Sequence, residues 1–305
     1  MKTAILVPCY NEEISIPKVV ADCKKYLPKA DVYVYDNNSK DNTIKVAKKA
    51  GAIVRRETHQ GKGNVVRRMF ADIEADVYVM IDGDATYDIK SIPLMIKKLT
   101  DENLDMVTGV RKSVHTEAYP SGHQFGNWML TKIVHLFFGK RTQDMLSGLR
   151  VFSRRFAKSF PSNSKGFEIE TELTVYASSM RLPVADVDTP YYARPAGSVS
   201  KLSTYKDGWR ILKMIAVLIK EERPLFFFGL GAFFLFLFSV LCAIPVFWEY
   251  AHTGLVLKIP TAILSVGLMV CSIVSLAIAL ILDTVSNNRK ENRRMQYLRH
   301  KSPLG

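Results

Sequence analysis

Val77-Tyr78-Val79-Met80-Ile81-Asp82-Gly83-Asp84 is the stretch on which the reading of this chain turns. An unbroken apolar run of β-forming residues predicts a strand buried on both faces, as in a parallel sheet. Asp82 and Asp84, two positions apart on extended backbone, point to the same side at its end. Gly83 between them lets another group approach the main chain closely. Such a pair can hold a divalent cation against a diphosphate. An isolated Asp-x-Asp reads equally well as a solvated turn, so the surrounding sequence decides.

Outward from this stretch, short β-rich runs alternate with helical patterns up to about Val110. Strands are predicted at Thr3-Val7, Val32-Tyr35, Ala52-Val54, Val77-Ile81 and Met106-Thr108. Helices are predicted near Ile14-Tyr26, Thr43-Lys49, Asn64-Ile73 and Ile89-Leu99. This alternation is the signature of an α/β fold with a mostly parallel, Rossmann-like sheet, whose ligands bind at the carboxyl ends of the strands. The polar segments sit at those ends: Pro8-Cys9-Tyr10-Asn11-Glu12, Asp36-Asn37-Asn38-Ser39, Asp82-Gly83-Asp84 and Gly109-Val110-Arg111.

From Lys112 to Tyr205 the pattern is less regular, with helices expected near Gly126-Phe138 and Glu170-Ser179. Lys206-Glu222 then places Trp209, Leu212, Ile215, Ala216 and Ile219 on one helical face, with Arg210, Lys213 and Lys220 elsewhere. A basic amphipathic helix of this kind lies in a membrane interface. Leu225 to Trp248 and Ile259 to Leu282 carry no charge; each is about 24 residues, roughly 36 Å as helix against a hydrocarbon core of about 30 Å. They predict a transmembrane hairpin. The expected organisation is a catalytic domain over 1–205, an interfacial helix over 206–223, two membrane helices within 224–283 and a basic tail over 284–305.

Lys213, Lys220 and Arg223 precede the first span, and Arg289, Lys290, Arg293, Arg294, Arg299 and Lys301 follow the second. The positive-inside rule then puts both chain ends and the catalytic domain in the cytoplasm, with a multi-pass cell-membrane location. A strand begins almost at once, so no signal peptide is expected. The formal net charge of +13 gathers beside the spans, where it meets anionic lipid rather than nucleic acid. Cys9, Cys23, Cys242 and Cys271 show no paired spacing, which argues against a disulfide framework or zinc site.

Taken together, Pro8-Glu12, Asp36-Thr43, Gly61-Lys62-Gly63-Asn64, Asp82-Gly83-Asp84, Gly109-Val110-Arg111, Asp144-Met145-Leu146-Ser147-Gly148-Leu149-Arg150 and Ser200-Lys201-Leu202 occur in an order that resembles the family-2 inverting glycosyltransferases. The nearest branch is similar to the polyprenyl-phosphate sugar synthases, which include dolichol-phosphate mannose synthase. The resemblance covers roughly residues 3 to 205 and implies a GT-A fold. It further implies that Pro8, Tyr10, Glu12, Tyr35, Asp36 and Asn37 face the nucleotide, Asn37 replacing the family's usual second acid. Lys62 belongs to a loop resembling a phosphate cradle. Asp82 and Asp84 would bind magnesium or manganese, with Gly83 beside the nucleotide sugar; Thr86 stands where many relatives carry a glutamine.

By the same resemblance, Arg111, Arg194 and Lys201 surround the diphosphate, with Pro195-Ala196-Gly197 forming a closing loop. Gln124, Ser147 and Arg150 are expected near the acceptor phosphate, and Asp84, Arg111, Asp144 and Ser147 near the chemistry. Gln124 lies in a segment, His123 to Asn127, that is richer in arginine in the family, and His123 reads as a surface histidine or a ligand. Glu168, Glu170 and Glu172 read either as acids favouring a helix N-terminus or, for Glu170 or Glu172, as partners of sugar hydroxyls.

The expected activity is metal-dependent, inverting transfer from a nucleotide-diphosphate sugar to a polyprenyl phosphate (undecaprenyl or dolichyl), supplying cell-surface glycan synthesis. Extension of a polysaccharide or lipid-linked oligosaccharide is the alternative. The partners expected are the nucleotide sugar, the lipid phosphate and the bilayer, without nucleic acid and with homo-oligomerisation open.

Overall fold

A computed structural model describes residues 1–114, 121–139, 142–197 and 204–302, with the side chains of 121–125 and 204–207 left undescribed. Met1–Ile215, together with residues from Arg293 onward, forms one compact unit, and Ala216–Asn292 forms a second.

The first unit alternates β1 (Thr3–Cys9), α1 (Ile16–Tyr26), β2 (Asp31–Asp36), α2 (Thr43–Lys49), β3 (Ile53–Arg56), α3 (Lys62–Asp72) and β4 (Val77–Met80). A short turn of 3-10 helix leads into α4 (Ile92–Asp101), then β5 (Met106–Ser113), α5 (Ser121–Phe138), β6 (Arg150–Ser153), α6 (Arg154–Ser159), α7 (Ile169–Ser179) and β7 (Val184–Tyr191). Among the described residues these strands form one seven-stranded sheet of order β3-β2-β1-β4-β6-β5-β7. β1 pairs in parallel with both β2 and β4, and β5 with β7, whereas β6 runs antiparallel between β4 and β5. Strand order reverses at β1 and β4, so a crevice opens beyond their carboxyl ends. The expected α/β, GT-A type architecture is what the chain adopts.

The central strands are apolar on both faces because helices cover both. Ile5, Val7, Val77 and Val79 join the core under α1 and α4. Ala4, Leu6, Tyr78 and Met80, alternating with them, join the core under α3 and α7. Phe152 and Phe156 stack there at 4.9 Å, both fully buried, and truncating either to alanine would cost about 3–5 kcal/mol.

Two strands and one helix between Lys112 and Tyr205 were not expected from the sequence: β6, β7 and α6. At the C-terminus, Tyr297 packs on the second core. Its hydroxyl donates to Asp105 Oδ2 at 2.7 Å, and Arg155 lies over its ring at 4.8 Å.

α8 (Thr204–Glu222) buries Ile211, Ile215, Leu218 and Ile219 and exposes Trp209. In the second unit, α9 (Pro224–Thr253) and α10 (Ile259–Leu298) are long and apolar enough to cross a membrane. α10 runs on through the basic segment to Leu298, since no glycine or proline interrupts 283–298. α9 and α10 meet through small residues: Ser265, Ser272, Ala279 and Ser286 recur every seven positions and are buried. Ser239 Oγ donates to the carbonyl of Ser265 at 2.8 Å, and Ser265 Oγ to that of Ser239 at 2.9 Å. Small residues let helices approach closely enough for such bonds.

Candidate active site

A cavity of about 690 Å³ lies at the carboxyl ends of β1 and β4, a size suited to a sizeable ligand. The loops after the parallel strands build its floor and are tied to one another. Asn11 N donates to Ser39 Oγ and Glu12 N to Thr43 Oγ1, each at 2.8 Å. Asn11, Asn38 and Ala85, with φ of 53°, 66° and 59°, follow β1, β2 and β4 in turn. For Ala85 that left-handed conformation costs about 1 kcal/mol or more, retained where the chain must turn straight after the carboxylate pair.

Asp82, Gly83 and Asp84 line the cavity. Asp82 accepts from Lys62 Nζ at 2.5 Å, and the same ammonium reaches Glu170 Oε1 at 2.5 Å. Burial opposes the lysine's charge, but the two carboxylates outweigh it and hold its pKa well above the usual range. Asp84 pairs with Arg194 at 2.7 Å and accepts from the Thr86 hydroxyl at 2.6 Å and the Thr86 amide at 3.1 Å. Burial and then the neighbouring Asp82 push the Asp84 carboxyl up against those favourable partners. Two like charges confined together suit a divalent cation. Among the described residues no group of three or more His, Cys, Asp or Glu side chains is placed to hold a metal ion; Asp82 and Asp84 could supply two ligands, the others coming from substrate phosphates and water. Thr86 orients Asp84.

Away from the cavity, the space beside the pair is filled by protein. A Cβ at Gly83 would lie 2.7 Å from Cys9 Sγ, and one at Gly148 would lie 2.2 Å from Asp82 Oδ2. Ser15 Oγ donates to the Gly83 carbonyl at 2.7 Å and lies 2.8 Å from Glu12 Oε2. The end of β7 is fastened alongside, since Tyr192 N donates to the Thr86 carbonyl at 2.8 Å. That tie delivers Arg194 to Asp84.

Arg111, at the end of β5, grips Asp144 with Nε on Oδ2 and a terminal nitrogen on Oδ1, both at 2.7 Å. Asn127 Nδ2 donates to the same Oδ1 at 2.8 Å. Burial opposes ionisation of Asp144, but the Arg111 guanidinium and these hydrogen bonds prevail and hold its carboxyl below the usual range. Asp144 therefore stands one residue behind the cavity wall, positioning Arg111.

Of the residues expected at the site, Pro8, Tyr10, Glu12, Asn37, Lys62, Asp82, Gly83, Asp84, Arg111 and Arg194 line this one cavity. Others are placed elsewhere. Tyr35 is buried, with its hydroxyl donating to Asp72 Oδ2 at 3.1 Å, and burial raises its pKa to about 12. Asp36 is buried at the end of β2, its Oδ2 taking the Ser39 amide at 3.3 Å. Ser147 Oγ donates to the Gly109 carbonyl at 2.6 Å. Arg150, expected on the acceptor phosphate, is fully buried and donates to the carbonyls of Ser147 and Met145 and to Thr174 Oγ1. Its charge is spent holding the loop before β6.

The Gly61-Lys62-Gly63 segment does not present a cradle of amides. Gly61 N donates to Asn37 Oδ1 at 2.7 Å, and Gly63 N to the Lys165 carbonyl at 3.1 Å. Gly61 is required there: its φ is 128°, and a Cβ would lie 2.0 Å from the Lys165 carbonyl oxygen. Asn37 Nδ2 meanwhile donates to the carbonyls of Glu57 and His59. Lys201 and the side chains of His123 and Gln124 lie outside the described residues.

Sequence reasoning left Glu170 open and missed Asn127, Tyr87 and Arg210, all of which line the cavity. Glu170 is 4% exposed, and its Oε2 has no hydrogen-bond partner among the described residues. Glu172 instead accepts the amides of Asn163 and Ser164 at 2.9 Å each. Tyr87 accepts the Gly148 amide at 2.7 Å.

The model of the family described as glycosyl transferase family 2 matches residues 4–160, which include Asp82, Asp84, Arg111 and Asp144 but not Glu170, Arg194 or Arg210. The chain belongs to that family. It is a glycosyltransferase, and its relatives carry such names. The glycosyltransferase AglJ of Haloferax volcanii is 35% identical over 227 residues, covering 74% of each chain. The dolichyl-phosphate hexose transferase of the same organism is 28% identical over 220 residues, covering 72% of this chain and 95% of its own. Among solved structures, glucosyl-3-phosphoglycerate synthase from Mycobacterium tuberculosis, in complex with Mn2+, uridine-diphosphate-glucose and phosphoglyceric acid, shares the fold. Its TM-score is 0.57 at 22% identity, over 72% of this chain and 79% of that one.

Proposed function

We propose that this glycosyltransferase moves a sugar from a nucleotide-diphosphate sugar onto a polyprenyl phosphate, with inversion, at the cytoplasmic face of the cell membrane. The observation that carries this reading is the engagement of Asp144. With both carboxylate oxygens taken by Arg111 and Asn127 and its pKa held down, it is a poor general base. A sugar hydroxyl acceptor would need one. A phosphate monoester does not, because its second pKa near about 6 leaves the attacking oxygen anionic at neutral pH.

In the proposed reaction the acceptor phosphate oxygen forms a bond to the anomeric carbon as the bond to the diphosphate breaks. The nucleoside diphosphate leaves with the electron pair. Catalysis rests on orientation and on cationic residues around the growing charge, with Arg111 and Arg194 at the cavity wall. Asp82 and Asp84 would hold Mg2+ or Mn2+, which supplies further charge neutralisation at the leaving diphosphate. The name of the dolichyl-phosphate relative and the manganese and uridine-diphosphate-glucose of the structural neighbour support the same assignment. So do the amphipathic α8 and the apolar α9 and α10, whose basic flanks favour cytoplasmic chain ends.

The test is to incubate the purified full-length protein with polyprenyl phosphate and a panel of labelled nucleotide sugars, with and without a chelator, and follow label into the organic phase. Metal-dependent lipid product from one donor is the expected result. Absence of lipid product from every donor would remove the reading.

A further inference from the structure

Two sets of glycines in the first unit contrast. Gly61, Gly63, Gly83 and Gly148 leave no room for a side chain, since a Cβ at each would sit under 3 Å from another protein atom. Gly126 and Gly208 are different. Both lie past the first turn of their helices, α5 and α8, where glycine costs about 1 kcal/mol relative to alanine. Yet among the described residues, apart from the helix's own neighbouring backbone, no atom lies within 4 Å of where a Cβ would project at either one. Close packing against the described residues does not account for them.

Both glycines line the cavity that holds Asp82 and Asp84. One helical turn on from each stands a buried apolar residue of the same wall, Leu130 after Gly126 and Ile211 after Gly208. Arg111 and Arg210 line it as well. A cavity lined both by these apolar helix positions and by Arg111 and Arg210 matches a phosphate monoester joined directly to a hydrocarbon chain.

We propose that Gly126 and Gly208 keep open the passage occupied by the hydrocarbon segment next to the acceptor's phosphate, so that residue size at these two positions sets how bulky that segment can be. This rests on the lipid-phosphate reading above. It makes α8 a wall of the acceptor site as well as an amphipathic helix.

The experiment uses the full-length protein with Gly126→Ala, Gly208→Ala, Gly126→Leu and Gly208→Leu. Each is assayed with a methyl-branched isoprenoid monophosphate and with a straight-chain alkyl monophosphate, alongside thermal melting and nucleotide-sugar binding. The alanine variants are expected to melt at or above the wild-type temperature. The leucine variants should raise KM for the branched acceptor by about tenfold or more, the scale on which a filled apolar pocket discriminates, while donor Kd stays the same and the straight-chain acceptor suffers less. Unchanged acceptor KM in the leucine variants would overturn the proposal, as would alanine variants that melt lower and lose donor and acceptor binding together. A wild-type protein that transfers sugar to no lipid phosphate would instead remove the underlying reading, and this proposal with it.

Discussion

Arg111 and Asp144 meet edge to edge, two parallel hydrogen bonds of 2.7 Å joining guanidinium to carboxylate, with the Arg111 amide adding a third at 3.1 Å. The pair is nearly closed to solvent, at 10% and 5% side-chain exposure. Asp144→Asn should therefore leave an uncompensated cation and cost about 3 kcal/mol or more in stability. With a lipid phosphate acceptor it should reduce turnover without abolishing it, because Asp144 orients Arg111 and takes no proton. Thermal melting and product formation measure the two effects separately.

The same pair predicts an acid limb. A carboxyl whose folded pKa is lowered contributes stability that is fully present above its unfolded value, about 3.9. That stability is lost as pH falls through the folded value. Wild-type protein should lose melting temperature below about pH 4, and Asp144→Asn should lose less over the same interval.

Lys62 sits between Asp82 and Glu170, close to both carboxylates. Replacing it with methionine leaves two acids facing each other, and Glu170→Gln should relieve part of that penalty. A double-mutant cycle on stability is expected to give a coupling of roughly 1–3 kcal/mol. Additive effects would show that the lysine does not link them.

Gly148→Ala should act on Asp82 from behind. The added methyl falls on the carboxylate, and a displacement of about 1 Å at a positioned group costs on the order of 10²-fold in rate. The expected signature is a lower melting temperature, from overpacking of about 1–3 kcal/mol, a larger fall in turnover, and a higher metal concentration for half-maximal activity.

The strand-end part of the cavity was legible in the sequence because its polar segments follow apolar runs. β1, β2 and β4 announce themselves: Asp36 is the last residue of β2, Asp82 lies two positions past β4 and Glu12 three past β1. β6 has four residues and begins with the buried Arg150, so neither its length nor its polarity marks a central strand. β7 carries Asp186, Asp188 and Pro190, which suits a strand at the sheet's edge and hides it from a search for apolar runs. The contact of Lys62 with Glu170 spans 108 positions. No local pattern encodes it; the packing of α3 beside α7 does.

β6 runs against its neighbours, so its loop reaches the crevice by entering a strand rather than leaving one. Glu12, Asp82 and Asp84 hang from the exits of β1 and β4, whereas Asp144 arrives on the approach to β6. Length changes between β5 and β6 would thus fall on the Asp144 side of the crevice, with the Asp82 and Asp84 side left intact.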